Sequence, residues 1–244
     1  MAFQKAFRTA DTLTRHRRAT GIPELDDLLG GGLECGMVHL FYGDSCVHDD
    51  MLRFAVQANV GKNHEAHPGS VIIIDSVNMI DTNRMGDIAS STGIDPEDVF
   101  DRVHVSRAFN SSQTYDLVVN HLEGFVQSEG AQLLLLPGLI DIFLNESLDA
   151  ERVRQITHMA ASIMQLALNH GVACVISAMG CLSPGVPRAG QSMLSSSQIH
   201  VFVERTPMRV IYSLTKHAYL PERSTERMKQ RLGYLITVPL EEFL

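Results

Sequence analysis

Residues 43–50 read GDSCVHDD and place a thiol, an imidazole and adjacent carboxylates within eight positions. Thiolate sulfur, imidazole nitrogen and carboxylate oxygen are the ligand atoms of protein zinc sites. No recognised zinc-ligand spacing connects the four side chains, which are Cys46, His48, Asp49 and Asp50. We therefore expect no metal at this segment, and the other chemistry to consider for it is phosphate binding.

A working phosphate-binding loop reads GxxxxGK[ST], and only Gly43 matches that pattern. His48 replaces the second glycine, Asp49 the lysine and Asp50 the magnesium-binding hydroxyl. A lysine about 4 Å from a phosphate contributes roughly 4 kcal/mol of attraction at an effective dielectric of about 20, and an aspartate reverses the sign. We expect neither ATP nor another cofactor to bind. Since helix N-termini favour negative charge, we interpret the two aspartates as built-in anions that accept backbone N–H groups there.

The composition indicates one globular protein and limits its partners. The chain has 244 residues, 45% of them hydrophobic, and no apolar run approaches the roughly 18 residues that cross a membrane. Its start lacks the apolar core of a signal peptide, and four scattered cysteines give no disulfide framework, so we expect a cytoplasmic protein. A net charge of −8 argues against a surface built wholly for nucleic acid, although residues 1–18 and 223–231 are basic.

The elements that must position these residues follow an alternating pattern. Apolar runs at 71–74, 133–136 and 172–176 predict strands that are covered on both faces, as in a parallel sheet. Apolar stripes at helical spacing separate them, one from Tyr115 to Val126 with Ser111 or Ser112 as N-cap, and one from Val153 to Ala167 that ends at Gly171. This alternation predicts a three-layer α/β/α domain with a mostly parallel central sheet.

After residue 198 the pattern changes to strands without intervening helices. The segments QIHVFVE (198–204), MRVIYSLT (208–215) and YLITV (234–238) predict an antiparallel extension at one edge of the sheet.

Several stretches, taken together, resemble the ATPase core of the RecA/RadA recombinase family. These are TGIPELDDLLGGGLECG (20–36), IIIDSVN (72–78), STGIDPEDVFDRVHVSRAFNSSQ (91–113), HGVACVIS (170–177) and AYLPERS (218–224). Their order is that of the family from about residue 20 to 240, which implies a RecA-like fold. With 19 residues before Thr20, the layout is similar to the short archaeal paralogue RadB, which lacks the family's N-terminal domain. We therefore divide the chain into a basic arm (1–19) and a core with a degenerate phosphate loop (20–244).

The resemblance also implies that two further catalytic positions are lost. Val77 stands where the family carries its catalytic glutamate, and Pro137 where it carries the Walker B aspartate. Cys46 likewise replaces a small residue of the family's phosphate loop. Without a group to orient water or to support Mg²⁺, we expect no ATPase and no other enzyme activity of the family.

The segments that resemble the family's two DNA-binding loops are poor in positive charge. The first (142–155) carries Arg152 and Arg154 against three carboxylates, and the second (180–197) has only Arg188 and no aromatic residue for base stacking. The composition of the second loop favours flexibility. Only weak binding to single-stranded DNA through these arginines is predicted.

In the family, an F-x-x-A motif ahead of the core inserts its phenylalanine and alanine into the next subunit. FRTA (7–10) matches it with Phe7 and Ala10, and FQKA (3–6) matches it with Phe3 and Ala6. The competing interpretation is a free tail.

Together these features predict a catalytically inactive recombinase paralogue, a pseudo-ATPase of archaeal type. It would associate with a RadA-type recombinase or with itself, and so act as an adaptor or regulator in DNA recombination and repair, away from membranes. One alternative is a weak single-stranded-DNA-binding protein with residual or altered nucleotide binding. Another is an enzyme with a new active site in the old crevice at the strand ends.

Overall fold

The structure, a computed structural model, describes residues 16–60, 69–146, 148–183 and 186–229. Twelve strands occur in these residues: β1 (Arg17–Arg18), β2 (Leu33–Glu34), β3 (Val38–Gly43), β4 (Val71–Asp75), β5 (Val103–Arg107), β6 (Leu133–Leu136), β7 (Ala173–Met179), β8 (Cys181–Ser183), β9 (Val186–Pro187), β10 (Ile199–Arg205), β11 (Arg209–Lys216) and β12 (Arg223–Met228).

The same ranges contain nine α-helices and one π-helical turn. The helices are α1 (Pro23–Leu28), α2 (Val47–Gln57), α3 (Thr82–Ser91), α4 (Pro96–Phe100), α5 (Ser111–Asp116), α6 (Leu122–Ser128), α7 (Asp141–Asn145), α8 (Ala150–His170) and α9 (Gln191–Ser196). The π-helical turn, Leu117–His121, joins α5 to α6.

Eight strands form the central sheet in the order β12-β11-β10-β3-β7-β6-β4-β5. All neighbouring pairs from β10 to β5 are parallel, whereas β10–β11 and β11–β12 are antiparallel. The predicted α/β/α fold with a mostly parallel sheet is therefore confirmed. The antiparallel extension is also confirmed, but it starts at β11, because β10 pairs in parallel with β3. YLITV lies outside the described residues.

Each face of the sheet has its own buried cluster. On one face, Leu40, Ile74 and Leu136 pack with α6 and α8, and on the other Phe41, Ile73 and Leu135 pack with α1 and α2. A third cluster joins α2 to α3 and α4. The three apolar runs read from the sequence are thus buried strands, β4, β6 and β7, as predicted.

Local signals explain where the helices begin and end. Asp149 caps α8 by accepting the Arg152 N–H, and Gly171 ends this helix in the left-handed region with φ 63°, as predicted. The cap predicted at Ser111 or Ser112 is wrong, since Asn110 caps α5 and accepts the Gln113 N–H at 2.8 Å. Asparagine is at least as good an N-cap as serine.

The chain enters the core through β1, which pairs antiparallel with β2. Arg17 and Arg18, placed in the arm by sequence, thus contact the core, while the boundary at residue 20 stays a prediction. The F-x-x-A residues Phe3, Ala6, Phe7 and Ala10 lie outside the described residues. The second DNA-loop segment contains the β8–β9 hairpin and helix α9, so much of it is regular structure.

Candidate functional site

The loop that was compared with a phosphate-binding loop connects β3 to α2, at the edge of the sheet where the parallel strands end. Asp44 organises it: its side chain accepts the Cys46 N–H at 2.8 Å, and its own N–H donates to the Val203 carbonyl at 2.9 Å. The prediction that Asp49 or Asp50 accepts backbone N–H groups there is wrong. Asp44 is better placed, because an aspartate bonds readily to the N–H two residues further on.

Gly43 is required by backbone geometry at this point. Its φ is 119°, and a Cβ atom there would lie 2.3 Å from the Val203 carbonyl oxygen. The one residue that matches the phosphate-loop pattern is therefore explained by the close approach of β10.

His48 fills the space between the loop and β7. Its Nε2 lies 3.1 Å from Ser177 Oγ, and that oxygen accepts the Gly138 N–H at 2.9 Å. Burial lowers the pKa of His48, with Asp75 and Asp49 opposing the shift, so the imidazole is neutral near pH 7. His48 therefore links the start of α2 to β7, and Ser177 links β7 to the turn after β6.

The two neighbouring aspartates of α2 have different environments. Asp49 is 55% exposed and forms an ion pair with Arg84 at 3.3 Å. Asp50 is fully buried and accepts bonds of 2.6 Å from both Arg227 Nη2 and Tyr212 Oη. Burial raises the pKa of Asp50 to about 6 against the opposing effect of Arg227. Asp50 therefore joins α2 to the C-terminal strands β11 and β12.

Val77 and Pro137, which the resemblance places at two catalytic positions of the family, follow the neighbouring strands β4 and β6. A Cβ atom on Gly138 would lie 2.0 Å from Val77 Cγ1, so Val77 fills the space above the turn that begins at Pro137. Asp75, buried at the end of β4, accepts the N–H groups of Val77, Met79 and Ile80 at 3.0–3.3 Å. The Asp75 carboxylate therefore stabilises the backbone of the loop that follows β4.

The crevice offers little for new chemistry. Ser177 is fully buried, so it cannot present a nucleophile, and burial raises the pKa of the Cys46 thiol to about 12. Asp141, a buried residue that the sequence did not single out, accepts the Met179 N–H at 2.9 Å. Across the described ranges, no group of three or more His, Cys, Asp or Glu is arranged to hold a metal ion.

Two of the three candidate DNA-binding arginines are ion-paired within the chain. Arg152 contacts Glu146 at 2.9 Å and Asp149 at 3.1 Å, and Arg154 contacts Glu151 at 3.3 Å. Glu146 in turn accepts the backbone N–H and the hydroxyl of Ser111 at 3.1 and 2.6 Å, which fixes this segment to α5.

Arg188, the third, is exposed on the other loop segment, after β9. The three arginines therefore do not form one free basic surface.

A groove lies beside β5, the outermost strand of the sheet among the described residues. It has a volume of about 280 Å³, and its apolar lining consists of Ile72, Ile74, Val105, Leu117, Leu122 and Phe125. His104 and Ser106 of β5 form its polar side.

The π-helical turn shapes this groove. The Leu122 N–H donates to the Leu117 carbonyl, so the bond that defines the turn joins two groove residues. In an α-helix, residues five apart lie about 140° apart, and the π turn brings these two onto one wall. The groove was not predicted from the sequence, although Leu122 and Phe125 of its wall belong to the apolar stripe from Tyr115 to Val126.

The fold agrees with that of a known protein family. Residues 15–198 match the sequence model of the Rad51 family, and the chain belongs to that family. Members are RecA-like recombinase-family proteins, usually ATPases, that associate with recombinases, with themselves and with DNA. Within the described part of the chain, no helix is long and apolar enough to cross a membrane.

Proposed function

We propose that this Rad51-family protein is catalytically inactive and acts in the cytoplasm, through protein–protein association, as an adaptor or regulator of DNA recombination and repair. The observation that carries the proposal is a contrast between two places on one sheet. Side chains of the chain itself occupy the crevice at the strand ends, whereas the groove at β5 is open.

Inactivity is supported by what the catalytic positions do instead. His48 bonds to Ser177, Asp50 to Arg227, and Val77 packs on Gly138, so none is free to hold a phosphate, a magnesium ion or a water molecule. Asp49 adds a negative charge where a lysine would stabilise phosphate. ATP and Mg²⁺ should therefore bind more weakly than low micromolar in a calorimetric titration, and a low-micromolar dissociation constant would contradict this half of the proposal.

Association is supported by the geometry of the β5 edge. Among the described residues, β5 has no strand on its outer side, and an outer strand beside an apolar groove is the arrangement that receives an extended peptide, with main-chain bonds for affinity and a pocket for one anchor side chain. The partner would be a RadA-type recombinase or a second copy, with the phenylalanine of an F-x-x-A segment as anchor. Burial of a phenylalanine contributes roughly 1.5–3 kcal/mol, which corresponds to about ten- to a hundredfold in affinity.

The experiment compares light scattering and recombinase pull-down for wild type and variants on both sides of the contact. Phe7→Glu changes the arm, and Phe125→Glu changes the groove at a side chain that is 50% exposed, so the core should stay folded. Leu168→Glu is the matched control, since Leu168 is 67% exposed on α8 and does not line the groove. We expect both test variants to lose association and the control to keep it. Association at wild-type level in both test variants would contradict the proposal.

A further inference from the structure

The strand β1, through which the chain reaches the core, is short and incompletely bonded. It comprises two residues, and beside it the Cys35 N–H donates to the His16 carbonyl at 2.9 Å. The Nε atoms of Arg17 and Arg18 are buried without a hydrogen-bond partner among the described residues. Because a buried donor without an acceptor costs free energy, β1 is less stable in its docked position than a strand with every donor bonded.

Arg17 joins β1 to two other parts of the core. Its Nη2 lies 3.3 Å from Glu34 Oε1 of β2 and donates to the Tyr219 hydroxyl at 2.7 Å. The Glu34 side chain is 4% exposed, so a buried charge at this place depends on the positive groups beside it. Tyr219 belongs to the loop between β11 and β12 (217–222).

His217, in the same loop, contacts both partners of Arg17. Its side chain is 1% exposed, and its Nδ1 accepts the N–H groups of Tyr219 and Leu220 at 3.4 and 3.3 Å. The ring hydrogen is therefore on Nε2, which lies 3.6 Å from Glu34 Oε1. The docked position of β1 thus fits a neutral His217.

A second ring proton on His217 weakens both contacts of Arg17. It removes the acceptor of the Tyr219 N–H, so that the loop carrying the Tyr219 hydroxyl must move. It also places a positive charge beside Glu34, where that charge repels Arg17. Histidine is the side chain whose ordinary change of charge falls between pH 5 and 8.

Two other titratable groups face the Glu34 carboxylate, and neither changes charge between pH 5.5 and 8. His39 of β3 accepts the Glu34 N–H at 3.0 Å, and burial lowers the pKa of His39 to about 4, so it stays neutral. Burial raises the pKa of the Cys35 thiol, so it stays protonated. The arginines of the neighbouring strands keep their charge throughout, and they are Arg17 and Arg18 of β1 and Arg223 of β12.

We propose that β1 is a proton-controlled latch, in which protonation of His217 releases the strand, and with it the arm, from the core. Because the released form binds this proton more tightly, release increases as the pH falls. The chain then leaves the core at Thr20 instead of His16, since Thr20 is fully buried and its N–H donates to Asp26 at 2.7 Å. At roughly 3.3 Å per residue, this lengthens the reach of the arm by about 13 Å. The latch lies within one chain and does not depend on the proposed function.

The test is amide hydrogen exchange of the full chain, resolved by residue with NMR, at pH 8 and pH 5.5. The Cys35 amide reports on β1, and the next amide, Gly36, is an internal control because it donates to the Val172 carbonyl at 3.1 Å. Protection factors, which remove the intrinsic effect of pH on exchange, should fall about tenfold for Cys35 and stay unchanged for Gly36. A tenfold fall corresponds to a proton bound about ten times more tightly in the released form.

Three variants identify the group that binds the proton. His217→Asn keeps an acceptor oxygen near the position of Nδ1 but cannot bind a proton, so Cys35 protection should no longer depend on pH. His16→Asn, at an exposed histidine beside β1, is the matched control and should keep the dependence. Arg17→Met should lower Cys35 protection at both pH values.

The wild-type protein alone can overturn the latch. Equal Cys35 protection at the two pH values, or an equal fall at Cys35 and Gly36, would show that the pH does not act on β1. A fall that persists in His217→Asn, or one that disappears in His16→Asn, would also overturn it. None of these results bears on the proposed function, whose test measures association.

Discussion

Arg227→Met tests how much the ion pair between Arg227 and the buried carboxylate of Asp50 contributes to the free energy of unfolding. The carboxylate is fully buried and accepts two bonds of 2.6 Å, from Arg227 and from Tyr212. Removing one partner of a buried ion pair leaves an uncompensated charge, which costs about 3–5 kcal/mol. Because domains of this size are stable by about 5–15 kcal/mol, we expect a large fall in the urea midpoint, measured by circular dichroism at pH 7.5.

The neighbouring exposed pair supplies the control in the same helix. Asp49 and Arg84 are 3.3 Å apart with side chains 55% and 42% exposed, and such pairs contribute about 0.2–1 kcal/mol. Arg84→Met should therefore cost at most about 1 kcal/mol. The double variant Asp50→Asn, Arg227→Met should recover much of the loss, because no buried charge remains and the amide can still accept the Tyr212 hydroxyl.

The pH dependence of the Arg227→Met effect has a defined sign. Burial raises the pKa of Asp50 from 3.8 to about 6 with Arg227 present, and loss of Arg227 must raise that pKa further. A carboxyl group whose pKa is raised in the folded state stabilises the protein at pH values below its unfolded-state pKa of 3.8. That stabilisation is lost as the pH rises through its folded-state pKa. The penalty of Arg227→Met relative to wild type should therefore grow from pH 5 to pH 8. Equal costs for Arg227→Met and Arg84→Met, or a penalty that does not change with pH, would refute the reasoning.

Three smaller predictions concern the neighbourhood of the loop. Burial lowers the pKa of the fully buried His39 from 6.5 to about 4. The stability that this shift contributes is fully present above pH 6.5, and it should fall by about 3 kcal/mol as the pH drops through 4. His39→Gln should therefore reduce the dependence of the thermal unfolding temperature on pH in this range. Asp44→Ala should cost about 1 kcal/mol in urea denaturation through the lost N–H acceptor, and Asp49→Ala less. Gly43→Ala should destabilise far more than Gly93→Ala, which costs about 1–2 kcal/mol, since both have positive φ but only the first lacks room for a Cβ.

The sheet could be predicted from sequence because strands buried on both faces lose all polar alternation. The apolar runs that form β4, β6 and β7 show no such alternation. Helix α8, between β6 and β7, ends at Gly171, as its sequence pattern indicated. β12 was read only as a basic stretch. Its arginines alternate with other residues, and Arg223 and Arg227 both reach helix partners on one face of the sheet. Alternation of charged residues was the available signal.

The roles of the loop aspartates could be predicted only in part. Asp50 lies three residues after Val47 and four before Phe54, both buried, so helical spacing alone places it on the apolar face of α2. A charged residue on that face requires a buried partner, but nothing local identifies Arg227, which is 177 residues away in sequence. The error of assigning backbone capping to Asp49 or Asp50 arose from reading charge at a helix start without its periodicity.

Strand β4 contributes residues both to the loop at its end and to the groove. Its Asp75 holds the loop after the strand through three backbone N–H groups, while Ile72 and Ile74, earlier in the same strand, line the groove. A nucleotide-dependent protein needs strand ends that rearrange around phosphate, whereas internal bonds fix these ends without a ligand. A preformed site loses less conformational entropy than a flexible one when a peptide binds. The internal bonds at these strand ends thus agree with the binding role that we propose for the β5 edge.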